Sequence, residues 1–142
     1  MAFSDDAIEH LARRLLDYSL PKHEWTHEAH FAATLWLLRK RPELTTPDAL
    51  RAIITTYNDA TNTPNTDVSG YHHTITQASL RGARHHLTTH PPETPLHILL
   101  GHTMASPLGR SDWLLSYWTR PILFSPVARR TWVDPDFSAL PF

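Results

Sequence analysis

Lys22–Lys40, KHEWTHEAHFAATLWLLRK, is a helix-length run with three histidines, two tryptophans and almost no turn-forming residue. On a 3.6-residue period, His23, His27 and His30 fall on one narrow stripe that Thr34, Leu37 and Leu38 continue. Trp25, Ala29, Ala32, Ala33 and Trp36 make a second apolar face, and Glu24, Glu28 and Arg39 gather on the remaining side. A helix apolar around most of its circumference belongs in the middle of a bundle, so this run predicts a buried central helix from Lys22 to Lys40. Imidazoles held there lose water, and their protonation is set by their neighbours.

Further helices flank it in both directions. Ser4 caps the first, with Asp5 and Asp6 in its opening turn and Ile8, Leu11, Ala12, Leu15 and Leu16 at helical spacing. Thr46-Pro47 opens the third, whose buried stripe is Leu50, Ile53, Ile54 and Tyr57. Ser69 is the expected cap of a fourth, running Gly70–Leu87, on which His72, Thr76, Ser79 and Ala83 share one face. Thr94-Pro95 starts a fifth helix, Ser111-Asp112 a sixth that Pro121 stops, and Ser125-Pro126 a last short one reaching about Trp132. No stretch alternates as a strand and no repeat is visible. The expectation is an all-α fold: residues 1–142 as one multi-helix bundle, with an irregular tail at 134–142.

Composition narrows the function. Length 142 suits one domain, and the absence of cysteine excludes thiol nucleophiles, thiolate zinc sites and iron–sulfur clusters while fitting a reducing, cytoplasmic setting. A formal charge of -1 supplies no field for nucleic acid or anionic lipid. The opening MAFSDDAIEH is acidic where a signal peptide is basic, and the apolar run Phe31–Leu38 is too short to span a bilayer, so no membrane association is expected. Eleven histidines predict acid sensitivity.

Between the third and fourth helices lies Asn58–Gly70, NDATNTPNTDVSG, the longest segment without periodicity. A polar loop of this length in a compact chain is a candidate site-forming element, and its Asn and Asp side chains can hold turns. Two chemistries fit the histidines. His27 and His30 with His72 could bind one metal, zinc for hydrolysis or iron for oxidation, with a position left open. Alternatively no cofactor is needed, and a buried His paired with Tyr71 or with Asp67 moves protons on a small metabolite. Glu24-x-x-His27 matches half of a di-iron pattern, but the second copy is missing. Asn58, Asn62 and Asn65 could orient a polar substrate. Among Arg81, Arg84, Arg110, Arg129 and Arg130, Arg129 is the favoured anion contact, because it sits on the short capped helix beside Trp132.

Four blocks, WTHEAHFAATLWLL (Trp25–Leu38), Tyr57-Asn58, NTDVSGYHHTIT (Asn65–Thr76) and LFSPVARRTWVDPD (Leu123–Asp136), together span most of the chain. In them the chain resembles a family of small, largely uncharacterised bacterial helical proteins with W-[ST]-H-x-x-H, G-Y-H-x-T and S-P-x-A-R-x-x-W-x-x-P-D motifs. The resemblance implies natural-product tailoring, including aziridine formation beside a partner protein, and selects His27, His30, Asn58, Tyr71, His72 and Arg129. The expected function is therefore a small-molecule enzyme or enzyme subunit: His27, His30 and His72 transfer protons with Tyr71, while Asn58, Asn65, Asp67, Thr76 and Arg129 bind substrate. A His-ligated metal enzyme and a non-catalytic partner subunit or homodimer are the rival expectations, Trp113, Trp118 and the FSALPF tail being the interface candidates.

Overall fold

The computed structural model describes residues 3–142, so the first two residues of the expected 1–142 domain lie outside it. Among the described residues the chain is all-α, with seven α-helices and no strand. They are α1 (Asp5–Leu16), α2 (His27–Lys40), α3 (Pro47–Ala60), α4 (His73–Thr88), α5 (Leu96–Ala105), α6 (Arg120–Leu123) and α7 (Pro126–Arg130), joined partly by single 3-10 turns. No helix among the described residues is long and apolar enough to cross a membrane.

Side-chain caps set several boundaries. Ser4, Thr46 and Ser125 accept the N–H groups of Ala7, Ala49 and Ala128, as their positions before the helical runs predict. The central helix is shorter than its sequence suggests. Lys22–Glu24 forms a 3-10 turn, and Thr26 accepts the N–H of Ala29 at 3.2 Å, so α2 begins at His27 and not at Lys22. A hydroxyl able to cap interrupted a run that apolar periodicity alone would continue. Helix four likewise starts late, capped by His72 and not by Ser69. The expected sixth helix is only a 3-10 turn at Trp113–Ser116, and Pro121 lies in the first turn of α6, where its missing N–H costs nothing, instead of stopping a helix.

Helix α2 is central, packed against α1, α4 and α5. Its buried residues run around the cylinder: Ala29, Phe31, Ala32, Ala33, Leu35, Trp36 and Leu37. They divide between two apolar clusters. The larger gathers Phe31, Ala32 and Leu35 with Leu80 of α4, Leu99 of α5 and the fully buried Trp118. The smaller joins Ala29 and Ala33 to Leu11, Leu15, Ile53 and Tyr57. Helix α3 packs chiefly on α1 and on the 3-10 turn Pro42–Thr45, leaving a gap between α2, α3 and α4.

The C-terminal segment is irregular but firmly held. The buried Thr74 hydroxyl donates to the carbonyls of Ala128 (2.7 Å) and Thr131 (2.9 Å) and accepts the N–H of Val133. That clasp seats α7 on α4. Trp113 and Trp118, the expected interface residues, are 3% and 0% exposed, so they belong to the core. Phe142 stacks on His85, while Phe137 is exposed.

Candidate functional site

The gap beside α2 is a cavity of about 400 Å³, within the range of small-molecule sites. Three helices each contribute one stripe at helical spacing: His30, Ala33, Thr34 and Leu37 from α2; Leu50, Ile53, Ile54, Tyr57 and Asn58 from α3; His72, Ile75, Thr76, Ser79 and Leu80 at and after the start of α4. Lys22, Trp25, Gly70, Tyr71 and Arg129 complete most of the wall.

His30 is the free base of this wall. Its Nδ1 lies 2.6 Å from the Thr26 carbonyl, which can only accept, so the proton sits on Nδ1 and Nε2 keeps its lone pair. Trp25 covers the ring, with centroids 3.8 Å apart and planes tilted by 30°. By area the ring is exposed, because part of it faces the cavity; elsewhere protein crowds it. That burial withholds water from an imidazolium and, with the nearby His27, pushes the pKa down to about 4 against the opposing bond to Thr26.

His72 lines the same cavity but has no free nitrogen. Its Nδ1 accepts the N–H of Ile75 at 3.1 Å as the cap of α4, so its Nε2 carries the proton and donates it to the Leu123 carbonyl at 2.7 Å. Burial, opposed by that bond and aided by Arg129, also holds its pKa below the usual value. The base expected here is a structural cap. His27 does not line the cavity: its Nε2 bonds the Leu108 carbonyl at 2.7 Å, and its ring meets Phe31 edge-on. The three imidazoles expected to converge are thus one free base, one cap and one side chain turned elsewhere.

Among the described residues no group of three or more His, Asp or Glu side chains is arranged to hold a metal ion. With His27 turned to Leu108 and both His72 nitrogens engaged, the alternative of a zinc or iron site on His27, His30 and His72 is not assembled.

The 58–70 loop is built around Asn65. Its Oδ1 accepts from Asn58 Nδ2 (2.9 Å) and the Tyr71 N–H (3.0 Å), and its Nδ2 donates to the Thr55 carbonyl and to Asp59, both at 3.1 Å. All its polar capacity is spent inside the protein, so Asn65 positions Asn58 and Tyr71 and does not itself reach the cavity. Gly70 follows with φ +78°, and a Cβ there would come within 2.4 Å of the Pro64 carbonyl, so only glycine fits this turn. Asp67 is exposed and pairs with Arg130, away from the cavity. Thr76 lines the cavity, and its hydroxyl bonds the His72 carbonyl at 2.8 Å.

Tyr71 is 6% exposed, and burial raises its pKa. Its hydroxyl shares a 2.7 Å bond with His73 Nδ1, while the Arg51 guanidinium lies 5.0 Å above its ring. Arg129 reaches from α7 to the Gly70 carbonyl at 3.0 Å and the Tyr71 carbonyl at 3.4 Å. Its Nε is buried without a hydrogen-bond partner.

Lys22, Trp25 and Tyr57 are wall residues that the reading of the sequence did not single out as a site. Thr26 was the available signal: as a cap it breaks the long helix and frees Trp25 to fold over His30. In comparisons with known proteins no family model, no curated protein and no solved structure matches the chain.

Proposed function

We propose that this chain is a small-molecule enzyme, or the small subunit of one, in which His30 takes a proton from a metabolite held between α2, α3 and α4. The observation that carries this reading is His30 on the wall of a cavity of about 400 Å³, with Nδ1 held by the Thr26 carbonyl and Nε2 without a protein partner among the described residues. Trp25 and the aliphatic wall cover the ring on one side, Asn58 and Thr76 offer polar contacts, and Arg129 meets negative charge.

Natural-product tailoring by ring closure maps onto these residues in one way. The cations Lys22 and Arg129 on the wall favour a neutral amine over an ammonium. The amine lone pair forms the new N–C bond while the C–O bond to an oxyanion leaving group breaks. Arg129 takes the departing negative charge, and His30 Nε2 takes the proton from the ring nitrogen. An anion beside the ring favours imidazolium, which raises the basicity of His30 toward the range a proton acceptor needs.

The test is conversion of a small-metabolite extract, followed by mass spectrometry, with the wild type and with His30→Gln. A metabolite consumed by the wild type and spared by a folded His30→Gln supports the reading. Equal consumption by both removes His30 from the chemistry. Retention of a metabolite without conversion would make the protein a binding subunit.

A further inference from the structure

The charges around the cavity are one-sided. Lys22 and Arg129 line it, and among the described residues no aspartate or glutamate does. Two acids stand outside the lining: Asp67 pairs with Arg130 and is close enough to Arg129 to feel its charge, and Glu24, 4.0 Å from Arg14, bears on Tyr57. Arg129 itself has no carboxylate partner among the described residues; Nη1 donates only to backbone carbonyls, and Nε is buried without any acceptor. A half-buried guanidinium is always charged, and a buried charge calls for an opposite one. The rest of the wall is apolar, formed by Leu37, Ile53, Ile54, Ile75 and Leu80 with the Trp25–His30 pair as a flat face.

From this arrangement we infer that the cavity selects a small organic carboxylate with an apolar, preferably aromatic, body: the carboxylate on Arg129 and the body against Trp25 and the aliphatic stripes. This names the substrate class of the site assigned above and rests on that reading. The lining disfavours an ammonium, which would meet two positive side chains and no lining acid, so an amine enters uncharged, as the ring closure above requires.

Three probes of nearly one shape separate charge from shape: 3-phenylpropanoate, 3-phenylpropanamide and 3-phenylpropan-1-amine, measured by titration calorimetry. The acid is expected to bind roughly tenfold more tightly than the amide, as one charge-assisted contact provides, and the amine more weakly than both. Arg129→Gln should bring the acid to the amide's affinity while the amide changes by less than about threefold. Arg129→Lys, which keeps the charge, should retain part of the preference and guards against loss of fold in the first variant. An amide or amine that matches the acid in the wild type overturns the carboxylate assignment but leaves the cavity a small-molecule site. If none of the three is held at millimolar concentration, both this inference and the proposed function fall.

Discussion

The two flanks of α2 carry similar residues and do different work. On one, Ala32 and Leu35 are 0% exposed and closed over by the cluster that includes α4, α5 and Trp118. On the other, His30, Ala33, Thr34 and Leu37 repeat at the same helical spacing but border a cavity, because α3 leans on α1 and the Pro42–Thr45 turn. An apolar stripe is a core where the next helix reaches it and a binding wall where the next helix is held away. The sharpest way to break this comparison is a matched pair of substitutions. Ala32→Phe should overpack the closed flank at a cost of about 1–3 kcal/mol or more, a large share of a typical margin, and lower the melting temperature strongly. Thr34→Phe should narrow the cavity, weaken probe binding strongly and leave melting nearly unchanged. Equal destabilisation by the two would mean that the flanks are packed alike.

The histidines of the cavity sharpen the contrast next. His72→Ala removes the cap of α4 and leaves the Leu123 carbonyl without its donor, a loss of about 2–4 kcal/mol in denaturant unfolding. His72→Asn should recover the capping share. His30→Gln, by comparison, should cost less at neutral pH, because the one hydrogen bond it removes, from Nδ1 to the Thr26 carbonyl, lies within a single turn of chain and a glutamine amide can replace it.

Acid should separate them further. Burial holds His30, His72, His73 and His86 below the ordinary imidazole value, so the unfolded chain binds protons more readily than the folded one. Stability therefore falls as pH drops from about 6.5, and the His30 share of the loss continues to about 4. Melting temperature followed across that window should show a shallower slope in His30→Gln than in the wild type. An unchanged slope would mean that the ring is as well hydrated when folded as when unfolded.

The smallest effect is expected from Asp67→Asn. Its pairing with Arg130 is exposed, so neither melting nor probe affinity should change measurably, and a loss of binding would place the site partly in the loop surface.

Much of the fold was legible because its signals are local. Ser4, Thr46-Pro47 and Ser125-Pro126 each mark a helix start through a side chain three residues from its partner. Thr26 carried the same signal inside the histidine run, where apolar periodicity outweighed it. Asn65 and Gly70 belonged to a loop recognisable as ordered, yet the role of Asn65 as its hub depends on Thr55 and Asp59 from α3. Of the candidate site residues, Asn58, Tyr71, His72, Thr76, His30 and Arg129 do share one cavity, while His27, Asn65 and Asp67 do not line it.

By itself the sequence determined an all-α chain, the central place of α2 and the stripe of α2 that carries His30, Thr34 and Leu37, because a 3.6-residue period fixes which positions share a side of a helix. Only the tertiary structure decided that the space opposite that stripe stays open, that Leu108 and Leu123 draw off His27 and His72, and that Arg129 comes to a wall whose described lining holds no acid. Those outcomes turn on backbone carbonyls and helices distant in the chain. No spacing within one helix records them.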